Sequence, residues 1–119
     1  MSAADWYGVR CVFAYGRGSS ARASDERIGY EERVTVWRAE TFDNAIAKAE
    51  AEAEGYASDV DAEYVGLAQA YRMADDLVEG AEVFSLIRSI DMPADEYVHR
   101  FFATGAERQD DLGGTATST

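Results

Sequence analysis

Adjacent carboxylates recur along this chain, among them Glu31-Glu32, Asp75-Asp76, Asp95-Glu96 and Asp110-Asp111. Two carboxylates in one site can divide acid and base roles or hold a divalent cation. Spacing argues against each pair. Neighbours on a strand point to opposite faces, so Glu31 and Glu32 cannot converge by themselves. Asp75-Asp76 falls in a turn and lacks the spacing of a calcium loop. The single histidine, His99, and the single cysteine, Cys11, lie far apart in the sequence. No Cys/His nucleophile pair or zinc site follows from them. Ser85 and Ser89 stand in no recognisable relation to a histidine. The stretch Gly16-Arg17-Gly18-Ser19-Ser20 offers backbone N–H groups to an anion, but it lacks the Walker spacing and no helix follows. The sequence therefore predicts no catalytic residue, no metal site and no cofactor.

The elements that would carry any site are clearer. The run from Trp6 to Tyr15 alternates, with Tyr7, Val9, Cys11, Phe13 and Tyr15 on one face, which predicts a strand with that face in the core. Cys11 on this face reads as a small buried apolar residue. Residues 16–29 read as a hairpin loop, and Tyr30 to Ala39 as a second strand, antiparallel to the first. In it the Val34/Val36 pair marks the expected core face. Trp6, Trp37, Val12 and Thr35 are expected on the other side of the sheet. Thr41 predicts a helix N-cap with Asp43 in the first turn. Phe42, Ala45, Ile46, Ala49, Ala53 and Tyr56 form the buried stripe, with Glu50, Glu52 and Glu54 mainly outside and Gly55 as the natural end. Residues 64–73 predict a third strand. Its small face of Gly66, Ala68 and Ala70 suits a covering helix. Residues 81–90 predict a fourth strand, and Pro93 opens a short second helix with Tyr97, Val98, Phe101 and Phe102 as its stripe.

The expected architecture is α+β, a four-stranded, mainly antiparallel sheet in the order β-β-α-β-β-α with the helices packed on one face. Residues 1–104 form a single domain and 105–119 a flexible tail. The length of 119 residues, with 47% hydrophobic content, supports one such core without disulfide or metal. No leader or apolar span is evident, so the expected location is the cytoplasm. The net charge of -12 is unevenly spread. Residues 1–40 carry six acids and six arginines, and the whole excess falls after them. A field of that sign disfavours nucleic acid and anionic membrane as partners.

Three stretches, WYGVRCVFAY (6–15), YEERVTVWRAETFDNAIAKAEAEAEGY (30–56) and GAEVFSLIRS (80–89) followed by MPADEYVHRFF (92–102), together resemble the bacterial domain-of-unknown-function family 4288. The resemblance spans about residues 6–102. It implies a small cytoplasmic bacterial protein and brings no activity, cofactor or catalytic residue.

The functional expectation is a non-enzymatic protein-binding or accessory module, self-associating as a dimer or serving as an inhibitor or immunity-type protein for a basic effector. Its interaction surface is expected at Trp6, Tyr30, Glu32, Trp37 and Arg38. The alternative is a small ligand-binding domain or enzyme with a pocket between helix and sheet, lined from among Tyr7, Tyr30, Tyr64, Tyr71, Glu32 and Arg38.

Overall fold

A computed structural model describes residues 4–16 and 28–107. The hairpin-loop and tail expectations at 17–27 and 108–119 lie outside the described residues. The chain divides into two units, Met1–Leu86 and Ile87–Thr119.

The first unit is built on β1 (Asp5–Tyr15), the central strand of a three-stranded sheet. It pairs antiparallel with β2 (Gly29–Ala39) and, on its other edge, with β3 (Ala62–Arg72). Between them in sequence runs the helix α1 (Phe42–Asp59). The β1–β2 register runs without a break from Asp5 opposite Ala39 to Tyr15 opposite Gly29. The β1–β3 ladder shifts between Cys11 and Phe13, which face Ala68 and Tyr64. Gly66 sits in that shift at φ 88°, a backbone region only glycine enters without strain.

Tyr7, Val9, Cys11 and Phe13 are buried beneath α1 as the alternation predicts, with Val9 and Phe13 at 0% exposure. Burying each such side chain contributes about 1.5–3 kcal/mol. The buried seam of α1 is Ala45, Ala49, Ala53 and Ala57, one residue every four along a single ridge. Phe42 and Tyr56 flank it, Phe42 edge-on to Tyr7 at 5.1 Å and Tyr56 edge-on to Phe13 at 5.1 Å. Methyl side chains along the seam let the helix approach the sheet closely, and Ala68 and Ala70 of β3 present small side chains in return. Thr41 caps the helix as expected, its Oγ1 accepting from Asn44 N at 3.0 Å. Gly55 does not end it. The helix runs a further turn to Asp59, and Asp61 then takes the left-handed conformation at φ 57°.

Two further expectations are corrected. Among the described residues the sheet has three strands, not four, and the element order is β-β-α-β-α. The segment expected as a fourth strand makes no ladder. Its first part crosses the sheet face opposite α1, where a Cβ on Gly8 would lie 1.6 Å from Val83 O and Phe84 stands against Tyr71 at 6.4 Å. Val83 and Phe84 serve a face instead of an edge, and alternation alone does not separate these cases. Second, β2 presents the opposite face to the helix. Residues opposite one another in the ladder share a face. Val36 pairs with Gly8 and Val34 with Arg10, both on the side away from α1. Glu31, Arg33, Thr35, Trp37 and Ala39 take the helix side.

The second unit contains α2 (Ala94–Phe101), with Asp95 and Glu96 in its first turn and no buried residue. Arg88 donates to Tyr97 OH at 2.8 Å and lies 4.4 Å from the Phe101 ring centroid. Tyr97 also meets the rings of Phe101 and Phe102.

Candidate functional site

Two groups of polar side chains flank the core of the first unit, one on each face of the sheet. On the helix side, Tyr15 and Tyr56 both donate to Glu31 Oε1, at 2.7 and 2.8 Å. Arg33 forms a two-pronged pair with Glu52 at 2.8 Å on each arm, and its guanidinium lies 3.7 Å from the Tyr56 ring centroid. Tyr64 donates to Glu50 at 2.6 Å. Glu50 and Glu52, expected outside, thus turn back onto the sheet. Strand alternation puts Glu31 and Arg33 on the face that meets α1, and Glu52 and Tyr56 project beside the alanine seam.

This group clamps the helix to the sheet. Burial, reinforced by the hydrogen bond to a carboxylate, pushes the Tyr15 and Tyr64 hydroxyls above the ordinary tyrosine range. Burial also raises Tyr56. All three stay protonated donors at neutral pH. The hydrogen bonds from Arg33 hold the Glu52 carboxyl below its ordinary value. Cys11 is buried and its thiol is pushed up by that burial, the opposite of what a nucleophile needs. Among the described residues no buried polar side-chain atom lacks a partner, and no group of three His, Cys, Asp or Glu is placed to hold a metal ion.

The face away from α1 differs. Arg10 stands at its centre, donating through Nε to Gln69 Oε1 at 3.1 Å, pairing with Glu32 at 3.1 Å and lying 5.0 Å from the Phe84 ring centroid. Val83 and Phe84 cover the middle of the face above Gly8 and Tyr71. Around them Tyr30 is 60%, Val34 41% and Leu67 46% exposed. Of the five residues expected to form an interaction surface, four lie here. Tyr30 is at the open end, Glu32 pairs with Arg10, and Arg38 lies over Trp6 at 5.5 Å and donates to Ala4 O at 3.3 Å. Trp37 does not join them. It is on the helix side, its Nε1 donating to Thr35 Oγ1 at 2.7 Å.

The six residues named for a ligand pocket are divided between faces. Tyr7 and Tyr64 belong to the helix-side core, whereas Tyr30, Glu32, Arg38 and Tyr71 are on the other side. The helix–sheet interface itself is filled by the alanine seam, Val9 and Phe13. A shallow depression of about 510 Å³ lies at the junction of β2 and α1, lined by Ala4, Arg38, Ala39, Glu40, Asn44, Ala47 and Lys48. Lys48 Nζ closes on Arg38 O there at 2.6 Å.

The ion pair of Arg10 with Glu32 is one that strand pairing of these residue types suggests, whereas the stacking of Arg10 on Phe84 and the role of Val83-Phe84 are not visible in the pattern. One signal for them is Gly8, in the middle of a strand and facing away from the helix, where a bare backbone admits another chain segment. No helix among the described residues is long and apolar enough to cross a membrane. No protein-family model, no curated protein and no solved structure matches this chain.

Proposed function

We propose that this chain is a non-enzymatic accessory module that works by binding protein, and that its partner is a second copy of itself. The observation that carries this reading is the exposed side of β2. It is an edge strand of 11 residues whose outer face leaves Tyr30 and Val34 open to solvent. An edge of this length is a ready template for another strand. Charge supports the same partner. β2 itself carries Glu31 and Glu32 against Arg33 and Arg38, so two copies can meet there without net charge on the strand to oppose them. Membership of family 4288, with a place in the bacterial cytoplasm, is part of this proposal and rests on the resemblance of residues 6–102. Sedimentation equilibrium on the full chain tests it. The expected result is a reversible dimer, and a monomer across the accessible concentration range overturns the reading.

A second reading is favoured by one feature of the turn after β3. Leu77 and Val78 are 45% and 62% exposed, between Asp75, Asp76 and Glu79. An apolar tip ringed by carboxylates suits a basic protein partner, as an inhibitor of a basic effector would need. Binding of such a partner weakens as salt rises, and an affinity indifferent to salt removes this reading.

A further inference from the structure

We infer that self-association, on the reading just proposed, takes the form of antiparallel β2–β2 pairing about a two-fold axis through Thr35, joining two three-stranded sheets into one of six strands. The argument begins with which backbone groups face outward. Met73 N donates to Trp6 O at 2.9 Å, so the Trp6 carbonyl points toward β3. Trp6 and its register partner Arg38 therefore exchange no bonds. Alternation then sends the N–H and C=O of Tyr30, Glu32, Val34, Val36 and Arg38 away from β1. Lys48 on the Arg38 carbonyl fits that orientation.

Outward-facing groups must meet outward-facing groups, so an even-numbered residue of one copy lies opposite an even-numbered residue of the other. That leaves a short series of registers, each two residues from the next. Centring on Arg33 sets that arginine against itself, and centring on Val36 sets Glu32 against Glu40. Centring on Val34 places Glu32 opposite Val36. Centring on Thr35 places Glu32 opposite Arg38 twice and Val34 opposite Val36 twice. Only this last register matches both charge and apolar character at every outward-facing pair from Glu32 to Arg38. Like charges directly opposed are destabilising and unlike charges stabilising, so the charged ends set the register while the valines supply the burial. Glu32 and Arg38 are exposed, and their present partners, Arg10, Trp6 and Ala4 O, lie within their own chain. Lys48, also exposed, must release the Arg38 carbonyl.

The test is sedimentation equilibrium on the full chain and four variants, each checked by circular dichroism and thermal melting. Arg38→Glu and Glu32→Arg each weaken dimerisation about tenfold, because two cross-strand pairs per dimer become repulsive. The double exchange E32R/R38E restores association to within about threefold of wild type, since each pair is re-formed with its signs reversed. Val34→Pro abolishes the dimer, because the N–H it removes faces outward and the intramolecular ladder survives. A wild-type monomer overturns this inference together with the reading it rests on. A dimer that Val34→Pro leaves intact, or that the double exchange fails to rescue, overturns the β2 register and leaves self-association standing. The charge exchange keeps the question decidable if Val34→Pro lowers the melting temperature.

Discussion

Beneath α1 the sheet pairs Glu31, Arg33 and Tyr64 with Tyr15, Tyr56, Glu52 and Glu50. On the opposite face, among the described residues, one crossing segment covers the centre and leaves Tyr30, Val34 and Leu67 open. The same strands make both faces. The helix side receives Glu31 and Arg33 of β2, and the outer side receives its valines together with Glu32 and Arg38. This inverts the usual assignment, and the reason lies in what each face meets. A helix with a methyl seam leaves room at its flanks for long side chains to reach around it, and Glu52 and Tyr56 stand at that flank to receive Arg33. The difference teaches that polar residues toward a helix can serve as a clamp while apolar residues away from it stay open to solvent.

Substitutions on the two faces sharpen or break this contrast. The largest effect is expected from Phe13→Ala, which removes a fully buried ring touching Tyr56 and Tyr64. It should cost about 3–5 kcal/mol in chemical denaturation. Next is Gly8→Ala. Its Cβ would collide with Val83 O, so the crossing segment must lift or the strand must shift. A loss of about 1–3 kcal/mol is expected, with faster amide exchange over 81–86. Unchanged exchange there would show that the segment does not depend on the bare glycine.

Glu52→Gln is expected to cost about 1 kcal/mol at neutral pH, because Arg33 keeps a hydrogen-bond partner but loses its counter-charge and the pair is partly exposed. The effect depends on pH. Arg33 holds the folded-state Glu52 carboxyl below its ordinary value of 4.5. The pair therefore contributes fully above that value and is lost as pH falls through the depressed folded value. Wild type and variant should converge in stability below pH 4.5, and a gap that persists in strong acid contradicts the ion pair. The smallest effect is expected from Val34→Ser on the open face. In dilute protein it should alter stability by no more than about 0.5 kcal/mol. A loss comparable to that of Phe13→Ala would erase the distinction between the faces.

Much of the helix side was legible in order. Alternation identified Tyr7 to Phe13 as core, and Thr41 marked the helix start through its capping chemistry. The alanines of α1 point to a close helix–sheet contact, and the small face of β3 suits a covering helix without showing that α1 is the one it meets. Less of the candidate surface was. Trp6, Tyr30, Glu32 and Arg38 share a face, whereas Trp37, expected with them, stands one residue from Arg38 and so on the other side. Val34 and Val36 read as core residues because they are apolar. On an edge strand whose opposite face carries the clamp, hydrophobicity does not choose the direction. The segment 81–90 carries the composition of a strand, yet forming one requires a free edge in the right place, and that depends on where the preceding turn delivers the chain.

The amino-acid sequence by itself marks four strand-like segments, of which three pair in the sheet, and determines the capped helix, its alanine seam and the charge imbalance between the first 40 residues and the rest. Those follow from period, capping and composition, which act over a few residues. Tertiary structure alone decided which face of β2 meets the helix, that Val83 and Phe84 cross Gly8 instead of extending the sheet, and that β2 is left as an edge. These are choices between arrangements with the same local pattern. They are settled by steric fit across the sheet and by the need to pair each buried polar group, both of which join residues distant in sequence.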